Sequence, residues 1–476
     1  MRSAYGVETV RAAERALMAR LPEGTLMQRA AAGLAAASAE LLGRVYGARV
    51  VLLVGSGDNG GDALYAGARL ARRGASVAAV LLNPDRVHRG GLASLRAAGG
   101  RVSADPRADL AGAALVMDGI TGIGGRGGLR PEAAELARAA RESGAALVAV
   151  DLPSGVDADT GEVPGEAVRA DATVTFGTYK PGLLVDPGRE YAGAVRLVEI
   201  GLELPPQEAV LCAPQYADIA RLLPRPVAES DKYRRGVVGV VAGSARYPGA
   251  AVLAVAGALH GGAGAVRYVG PAADAVIARF PETLVSAGPP EKAGRVQSWV
   301  VGPGIGENPE AVAEVLRAEV PVLVDADGLR FAGEATLRAR RAPTVLTPHA
   351  GEAAALLGTS RDEVESARLT AVRELAARYG ATALLKGSTT LVAAPGGGPV
   401  RVNPTGTPWL ATAGSGDVLS GLTGSLLAAG LDGPDAAMSG AYLHGLAGRF
   451  AARGGPARAF EVAEALAEAW RDVRDG

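Results

Sequence analysis

Short apolar runs alternate with amphipathic stretches along most of the chain. Residues 8–20 and 24–42 space their apolar side chains in threes and fours, which predicts two opening helices. Residues 49–74 give an apolar run, a Gly-rich turn and then helical periodicity, a strand–loop–helix unit. Further buried strands are predicted at 77–82, 114–118, 146–151 and 172–176, with helical stretches between most of them. This alternation implies a parallel sheet with helices on both faces.

Prolines 205, 206, 214, 224 and 226 crowd the stretch 204–226, which marks a domain boundary. A second α/β series follows, with strands predicted at 237–242, 265–269, 299–302, 321–325, 344–347 and 382–386. Residues 395–398 read as a hairpin tip, and the turn at Gly414 opens a long final helical region. The expected fold class is α/β with two domains, 1–210 and 211–476.

Composition narrows the partners. A net charge of -1, from 49 basic and 50 acidic residues, gives no reason to expect nucleic acid or an acidic membrane surface. The single cysteine, Cys212, excludes an intramolecular disulfide and fits a reducing compartment, so a cytoplasmic location is expected. The histidines (His88, His260, His349 and His444) are scattered and form no zinc spacing. Charges interrupt the first 20 residues, so no signal-peptide core is present there. Residues 247–266 are marginally apolar, but their Ala/Gly content and strand-like flanks fit a tightly packed internal helix.

In the first half, Gly55, Gly57 and Gly60 occupy the glycine positions of a dinucleotide fingerprint. Asp58 and Asp62 would set carboxylates where pyrophosphate oxygens belong, so the loop better suits a cation or substrate hydroxyls. Asp118, Asp151 with Ser154, and Lys180 lie at or just after later strand ends, where parallel sheets bind ligands. Oxygen donors without thiols or imidazoles suit a hard cation. Each residue also has a bland reading as turn or capping chemistry.

The segments Leu26-Met27-Gln28-Arg29-Ala30, Gly57-Asp58-Asn59-Gly60-Gly61-Asp62, Asp118 with Gly122-Ile123-Gly124, Asp151-Leu152-Pro153-Ser154-Gly155-Val156-Asp157 and Lys180-Pro181-Gly182 resemble the N-terminal, epimerase part of bifunctional NAD(P)H-hydrate repair enzymes over about residues 5–205. The resemblance implies a Rossmann-like three-layer sandwich and a potassium ion held by Asn59, Asp118 and Ser154. It places substrate against Asp58, Asn59, Gly60, Gly61 and Asp62, against Gly122, Ile123, Gly124, Gly125, Arg126, Gly127 and Gly128, and against Asp151, the residue expected to do acid–base work. Asp58 and Ala63 depart from the family's Gly-Asn-Asn-Gly-Gly-Asp-Gly, and Ile123 from its Gly-Thr-Gly.

In the second half, Gly414-Ser415-Gly416-Asp417 places a Gly-Ser-Gly turn at a helix start. Backbone N–H groups and the helix dipole there form an anion hole suited to a transferring phosphoryl group. Asp417 stands where it can take a proton from an attacking hydroxyl. His349 follows a strand in Pro348-His349-Ala350-Gly351-Glu352, and Lys386 ends another before Gly387, Ser388, Thr389 and Thr390. With Gly302-Pro303-Gly304-Ile305-Gly306 and Asp325-Ala326-Asp327-Gly328, these segments resemble the dehydratase part of the same repair enzymes, over about residues 225–474. That resemblance implies a ribokinase-like fold. Lys386, Gly387, Ser388, Thr389, Thr390 and Gly416 would bind an adenine nucleotide, and Ala250, Gly304, His349 and Asp417 the hydrated cofactor. Ser230-Asp231-Lys232-Tyr233-Arg234-Arg235-Gly236 stands where relatives often read Ser-His-Lys-Gly.

The expected function is therefore repair of hydrated NADH and NADPH. One domain would exchange R and S epimers, and the other would dehydrate the S hydrate with ADP, or ATP, and Mg2+. A homo-oligomer is expected from the resemblance. The alternative is a ribokinase-like vitamin or sugar kinase fused to a non-catalytic Rossmann-like ligand-binding module.

Overall fold

The structure, a computed structural model, describes residues 1–475. The chain forms two compact units, residues 3–211 and residues 212–476 with residues 1–2.

Two helices, Val7–Met18 and Thr25–Leu42, precede the sheet of the first unit, after a three-residue strand, β1 (Arg2–Ala4), whose Arg2 falls in the other unit. The sheet contains β2 (Arg49–Val54), β3 (Ser76–Leu81), β4 (Arg101–Val102), β5 (Leu115–Gly119), β6 (Ala146–Val150), β7 (Ala172–Phe176) and β8 (Ala194–Val198). Its order is β4-β3-β2-β5-β6-β7-β8, and all neighbours are parallel. The twofold alternation of β2 explains the layers. Val50, Leu52 and Val54 pack with Leu34 and Leu64 on one face, while Val51 and Leu53 pack with Ala133 and Ala137 on the other. This is the three-layer, Rossmann-like arrangement. Strand order reverses between β2 and β5, the position at which such sheets open a ligand crevice.

The second unit contains β9 (Leu211–Ala213), β10 (Val237–Val241), β11 (Ala265–Val269), β12 (Leu284–Ser286), β13 (Ser298–Val301), β14 (Val322–Val324), β15 (Thr344–Leu346), β16 (Thr382–Leu385), β17 (Thr390–Ala393) and β18 (Val400–Asn403). Its strands run β9-β18-β17-β16-β15-β14-β13-β10-β11-β12. Neighbours from β12 to β16 are parallel, and β17 pairs antiparallel with both β16 and β18. The residues read as a hairpin tip do lie between β17 and β18. The final helical region divides into helices Ser415–Ala428, Gly433–Ala452 and Ala459–Asp475.

The apolar stretch at 247–266 is helix Pro248–His260 followed by the start of β11. Its small residues have a packing cause. A Cβ at Gly257 would lie 2.1 Å from the Val418 carbonyl oxygen, and one at Gly421 would lie 1.9 Å from that of Ala254. Helices Pro248–His260 and Ser415–Ala428 therefore touch backbone to backbone. No helix among the described residues is long and apolar enough to cross a membrane.

Candidate active sites

In the first unit, helix Asp58–Arg72 begins at Asp58, one residue after Gly57, which adopts φ 128. Asp58 and Asn59 thus belong to its first turn. Gly60 and Gly61 are buried helical residues rather than part of a phosphate loop. A Cβ on Gly60 would meet the Gly55 carbonyl oxygen at 2.5 Å, so the glycine lets the helix seat against the end of β2.

Across the crevice, Asp118 is wholly buried at the end of β5. Its carboxylate accepts from the Ser154 N–H at 2.8 Å, the Ser154 hydroxyl at 2.7 Å and the Ile120 N–H at 3.2 Å. Ser154 Oγ also accepts from the Thr121 N–H at 2.9 Å, and Asn59 Nδ2 donates to the Thr121 carbonyl at 2.9 Å. Asn59, Asp118 and Ser154 therefore come together, joined by the Thr121 carbonyl, which the sequence reading did not include. No salt bridge reaches Asp118 among the described residues. Burial, only partly opposed by the Ser154 and Ile120 hydrogen bonds, pushes its carboxyl up to about 6. A buried, unpaired carboxylate beside neutral oxygens fits a bound monovalent cation.

Beside this cluster, Asp151 pairs with Lys180, which is 1% exposed. Asp151 also accepts from the Thr175 hydroxyl at 3.0 Å and the Phe176 N–H at 3.1 Å. Its backbone adopts φ 65, a left-handed conformation that is costly for aspartate at a strand end. Asp62 Oδ1 is buried without a partner. Burial first, then the charges of Asp151, Asp58 and Glu14, hold the Asp62 carboxyl well above the usual range. Burial and Asp151 likewise raise Glu14. Glu14 sits on helix Val7–Met18, as does Arg11, whose guanidinium lies 2.6 Å from where a Gly124 Cβ would be. The sequence reading missed both residues. The loop from Gly122 through Ile123, Gly125, Arg126 and Gly127 to Gly128 is partly or wholly exposed at the mouth of the crevice.

In the second unit, Gly414 at φ 89 turns the chain into helix Ser415–Ala428. First-turn N–H groups have no acceptor within their own helix. The Ser415 hydroxyl donates to the Leu410 carbonyl at 2.6 Å and fixes the turn. A Cβ on Gly416 would lie 3.5 Å from Lys386 Nζ and 4.0 Å from Asp325 Oδ2, so the predicted anion hole and lysine do meet.

Lys386 Nζ donates to Asp325 Oδ1 at 2.7 Å and lies 3.8 Å from Glu352 Oε2. Ser420, one turn beyond Asp417, donates to Asp325 Oδ2 at 2.6 Å. Burial opposes the charge on Lys386, but the carboxylates of Asp325, Glu352 and Asp417 outweigh it and raise its pKa. Burial, then the charge of Asp325, pushes the Asp417 carboxyl up to about 7 despite Lys386. A base poised near neutrality is what proton abstraction from a hydroxyl requires.

Gly304, at φ 61, has no room for a side chain, because its Cβ would fall 2.7 Å from that of Ala250. The two predicted contacts are thus neighbours. His349 is exposed at the start of helix Ala350–Leu357. Its Nδ1 accepts from the Glu352 N–H at 3.1 Å, and the Glu352 carboxylate accepts from the His349 N–H at 2.8 Å. The Lys386–Thr390 loop is held from beneath by buried Arg368, which the sequence reading missed. Its guanidinium donates to the carbonyls of Lys386 at 3.1 Å and Thr389 at 3.0 Å. A Gly387 Cβ would collide with that guanidinium at 2.4 Å, whereas Gly387 and Ser388 are exposed on the outer side. His444 was also missed. It is buried near Ser415 with Nε2 unpartnered, and burial lowers its pKa to about 4.

The two units thus define a doubly wound domain with a switch-point oxygen cluster and a ribokinase-like domain in which a helix N-terminus meets Lys386, Asp325 and Asp417. Comparison with known proteins agrees. Residues 238–465 match the NAD(P)H-hydrate dehydratase family, and residues 23–182 match the YjeF-related protein N-terminus. The bifunctional NAD(P)H-hydrate repair enzyme of Mycobacterium leprae is 51% identical over 95% of this chain and 94% of its own length. That of Mycobacterium tuberculosis is 49% identical over 92% of this chain and 91% of its own. The ADP/ATP-dependent NAD(P)H-hydrate dehydratase of Bacillus subtilis, co-crystallised with ATP and Mg2+, is 29% identical. It aligns with TM-score 0.51 over 54% of this chain and 97% of its own. The chain belongs to the bifunctional NAD(P)H-hydrate repair enzymes, with an epimerase-family first domain and a dehydratase-family second domain.

Proposed function

We propose that the second domain dehydrates hydrated NADH and NADPH by transient phosphorylation, with Asp417 as general base. Hydroxide is a poor leaving group, and phosphate is a good one. Asp417 takes the proton of the ring hydroxyl while that oxygen attacks the terminal phosphoryl group of the nucleotide. The helix N-terminus at Gly416 stabilises the charge on the transferring group. The ring nitrogen's lone pair then expels phosphate, and loss of a ring proton restores the reduced nicotinamide. Lys386, held by Asp325, keeps positive charge beside the phosphates. Mg2+, when bound with the nucleotide, would neutralise phosphate charge; among the described residues no group of three or more carboxylates is placed to hold it.

The observation that carries this reading is the Asp417 carboxyl at about 7 beside a helix N-terminus and Lys386. The donor proposed is ADP, giving AMP and phosphate, because the longer ATP would crowd the hydroxyl. Assaying one hydrate epimer with ADP, with ATP and with no nucleotide tests this. Faster turnover with ATP would reverse the donor assignment.

The first domain, on this reading, exchanges the R and S hydrates, with Asp151 doing acid–base work and Lys180 holding it in place. Asn59, Asp118, Ser154 and the Thr121 carbonyl would hold K+, which supplies a fixed positive charge to organise the pocket. The rival reading, a vitamin or sugar kinase with a non-catalytic first domain, is disfavoured by relatives that match both domains along nearly their whole length.

A further inference from the structure

Helix Ser415–Ala428 carries Asp417 at one end, and its other end lines a separate cavity of about 400 Å³. Asp417 and Ser425 are eight residues apart, or about 12 Å along the axis at 1.5 Å per residue. The cavity is walled by Arg225, Arg234, Arg235, Arg471, Arg474 and the half-buried Trp470, and no aspartate or glutamate lines it. The chain as a whole has nearly equal acids and bases.

The bland account is that arginines gather at helix C-termini to offset their dipoles. It covers Arg471 and Arg474, which lie in the last two turns of helix Ala459–Asp475. It extends to Arg234 and Arg235, which lie in the last turn of the short helix Lys232–Arg235, but not to Arg225, which precedes β10 outside any helix. Nor does the end of helix Ser415–Ala428 need them. Its Ser425, Leu426 and Leu427 carbonyls already accept from the N–H groups of Ala429, Leu431 and Gly430. Of the neighbouring acids, Glu229 lies 3.9 Å from the Arg234 guanidinium, while Asp231 and Asp472 are engaged elsewhere. Asp231 accepts from the Tyr233 and Arg234 N–H groups, and Asp472 accepts from the Tyr216 hydroxyl at 2.7 Å. Arg225 and Arg474 have no ion pair among the described residues. One edge of Trp470 rests against Gly262, where a Cβ would come within 3.7 Å.

We propose that this cavity is a second small-molecule site, for a nucleotide. Arginine guanidinium forks match phosphate oxygens, and an indole face stacks on a planar base. The volume lies in the range of small-molecule pockets, roughly 300–1,000 Å³. Nothing in the phosphoryl-transfer chemistry uses these residues, so the site is distal to it.

The test is calorimetric titration of the full chain with AMP and, separately, with inorganic pyrophosphate. The wild type is expected to bind two AMP per chain. The Arg471→Glu/Arg474→Glu variant should bind one, with NADPH recovery from the hydrate unchanged. Trp470→Leu should weaken distal AMP binding by at least about tenfold, the loss of one stacked base, and leave pyrophosphate binding unaltered. Arg225→Ser, outside the helices, repeats the test if the charge-reversed pair disturbs folding. One AMP per chain in the wild type, or two in every variant, would overturn the proposal. Equal weakening of AMP and pyrophosphate by Trp470→Leu would overturn the nucleotide assignment in favour of a bare phosphate site.

Discussion

The Lys386 ammonium lies 2.7 Å from Asp325 Oδ1, so this lysine is spoken for by a carboxylate other than the proposed base. No salt bridge joins Lys386 to Asp417 among the described residues. Burial first, then the charge of Asp325, holds the Asp417 carboxyl at about 7, and Lys386 lowers it only in part.

The first prediction concerns that base. Asp417→Asn should cut NADPH recovery by at least roughly 100-fold, as expected for loss of a general base. Epimer exchange should continue, because Asp417 lies wholly in the second domain. In the wild type, recovery should rise with pH through about 7 as the carboxyl ionises. A flat kcat/KM profile between about pH 5 and 8 would contradict the role.

Two neighbours should move that profile in opposite directions. The charge of Asp325 raises the Asp417 carboxyl and that of Lys386 lowers it. Asp325→Asn should shift this rising, acid-side limb to lower pH, and Lys386→Met should shift it to higher pH. The check is kcat/KM against pH for both variants. A shift of the same sign in both would show that the limb reports another group.

Asp118 makes a prediction about the cation. Its folded pKa of about 6 exceeds the ordinary 3.8, so ionising it in place costs about 3 kcal/mol. The stability this group contributes is complete below 3.8 and is lost as pH rises through about 6. A bound K+ would offset that loss. K+ should therefore raise the unfolding midpoint of the first domain more at about pH 8 than at about pH 5, and should do neither in Asp118→Asn. Calorimetric scans with K+ and with a large organic cation measure this. Equal effects at both pH values would remove the cation from Asp118.

Much of this was legible in the sequence because buried parallel strands are short apolar runs that end in polar residues. β5 and β6 lead into Asp118 and Asp151, and both were found that way. β8 was missed because its Arg196 faces solvent and breaks the apolar run. β4 was missed because it has only two residues. Glu14 and Arg368 were invisible for another reason. Glu14 looks like any charge on an amphipathic helix, and Arg368 like any arginine in an arginine-rich chain. Each gains its role only when a distant segment is folded against it. His444 did carry a signal, a lone imidazole in the apolar run Tyr442-Leu443-His444-Gly445.

The Asp151–Lys180 pair separates chemistry from folding. Asp151→Asn leaves a buried ammonium unpaired, which should cost about 3–5 kcal/mol. Asp151→Asn/Lys180→Met should recover much of that stability and still lack enzyme-accelerated epimer exchange. Denaturant midpoints and epimer exchange, measured on both variants, check it. Exchange restored in the double variant would make Asp151 a structural residue only.

The most direct test of the whole account follows absorbance of the reduced nicotinamide while purified R and S hydrates are each incubated with enzyme, nucleotide and Mg2+. The S hydrate should return to NADPH in wild type and in Asp151→Asn. The R hydrate should be consumed at an enzyme-accelerated rate only by the wild type, and neither should be recovered without nucleotide. A stable phosphorylated product in place of NADPH, or recovery with no nucleotide present, would contradict the account.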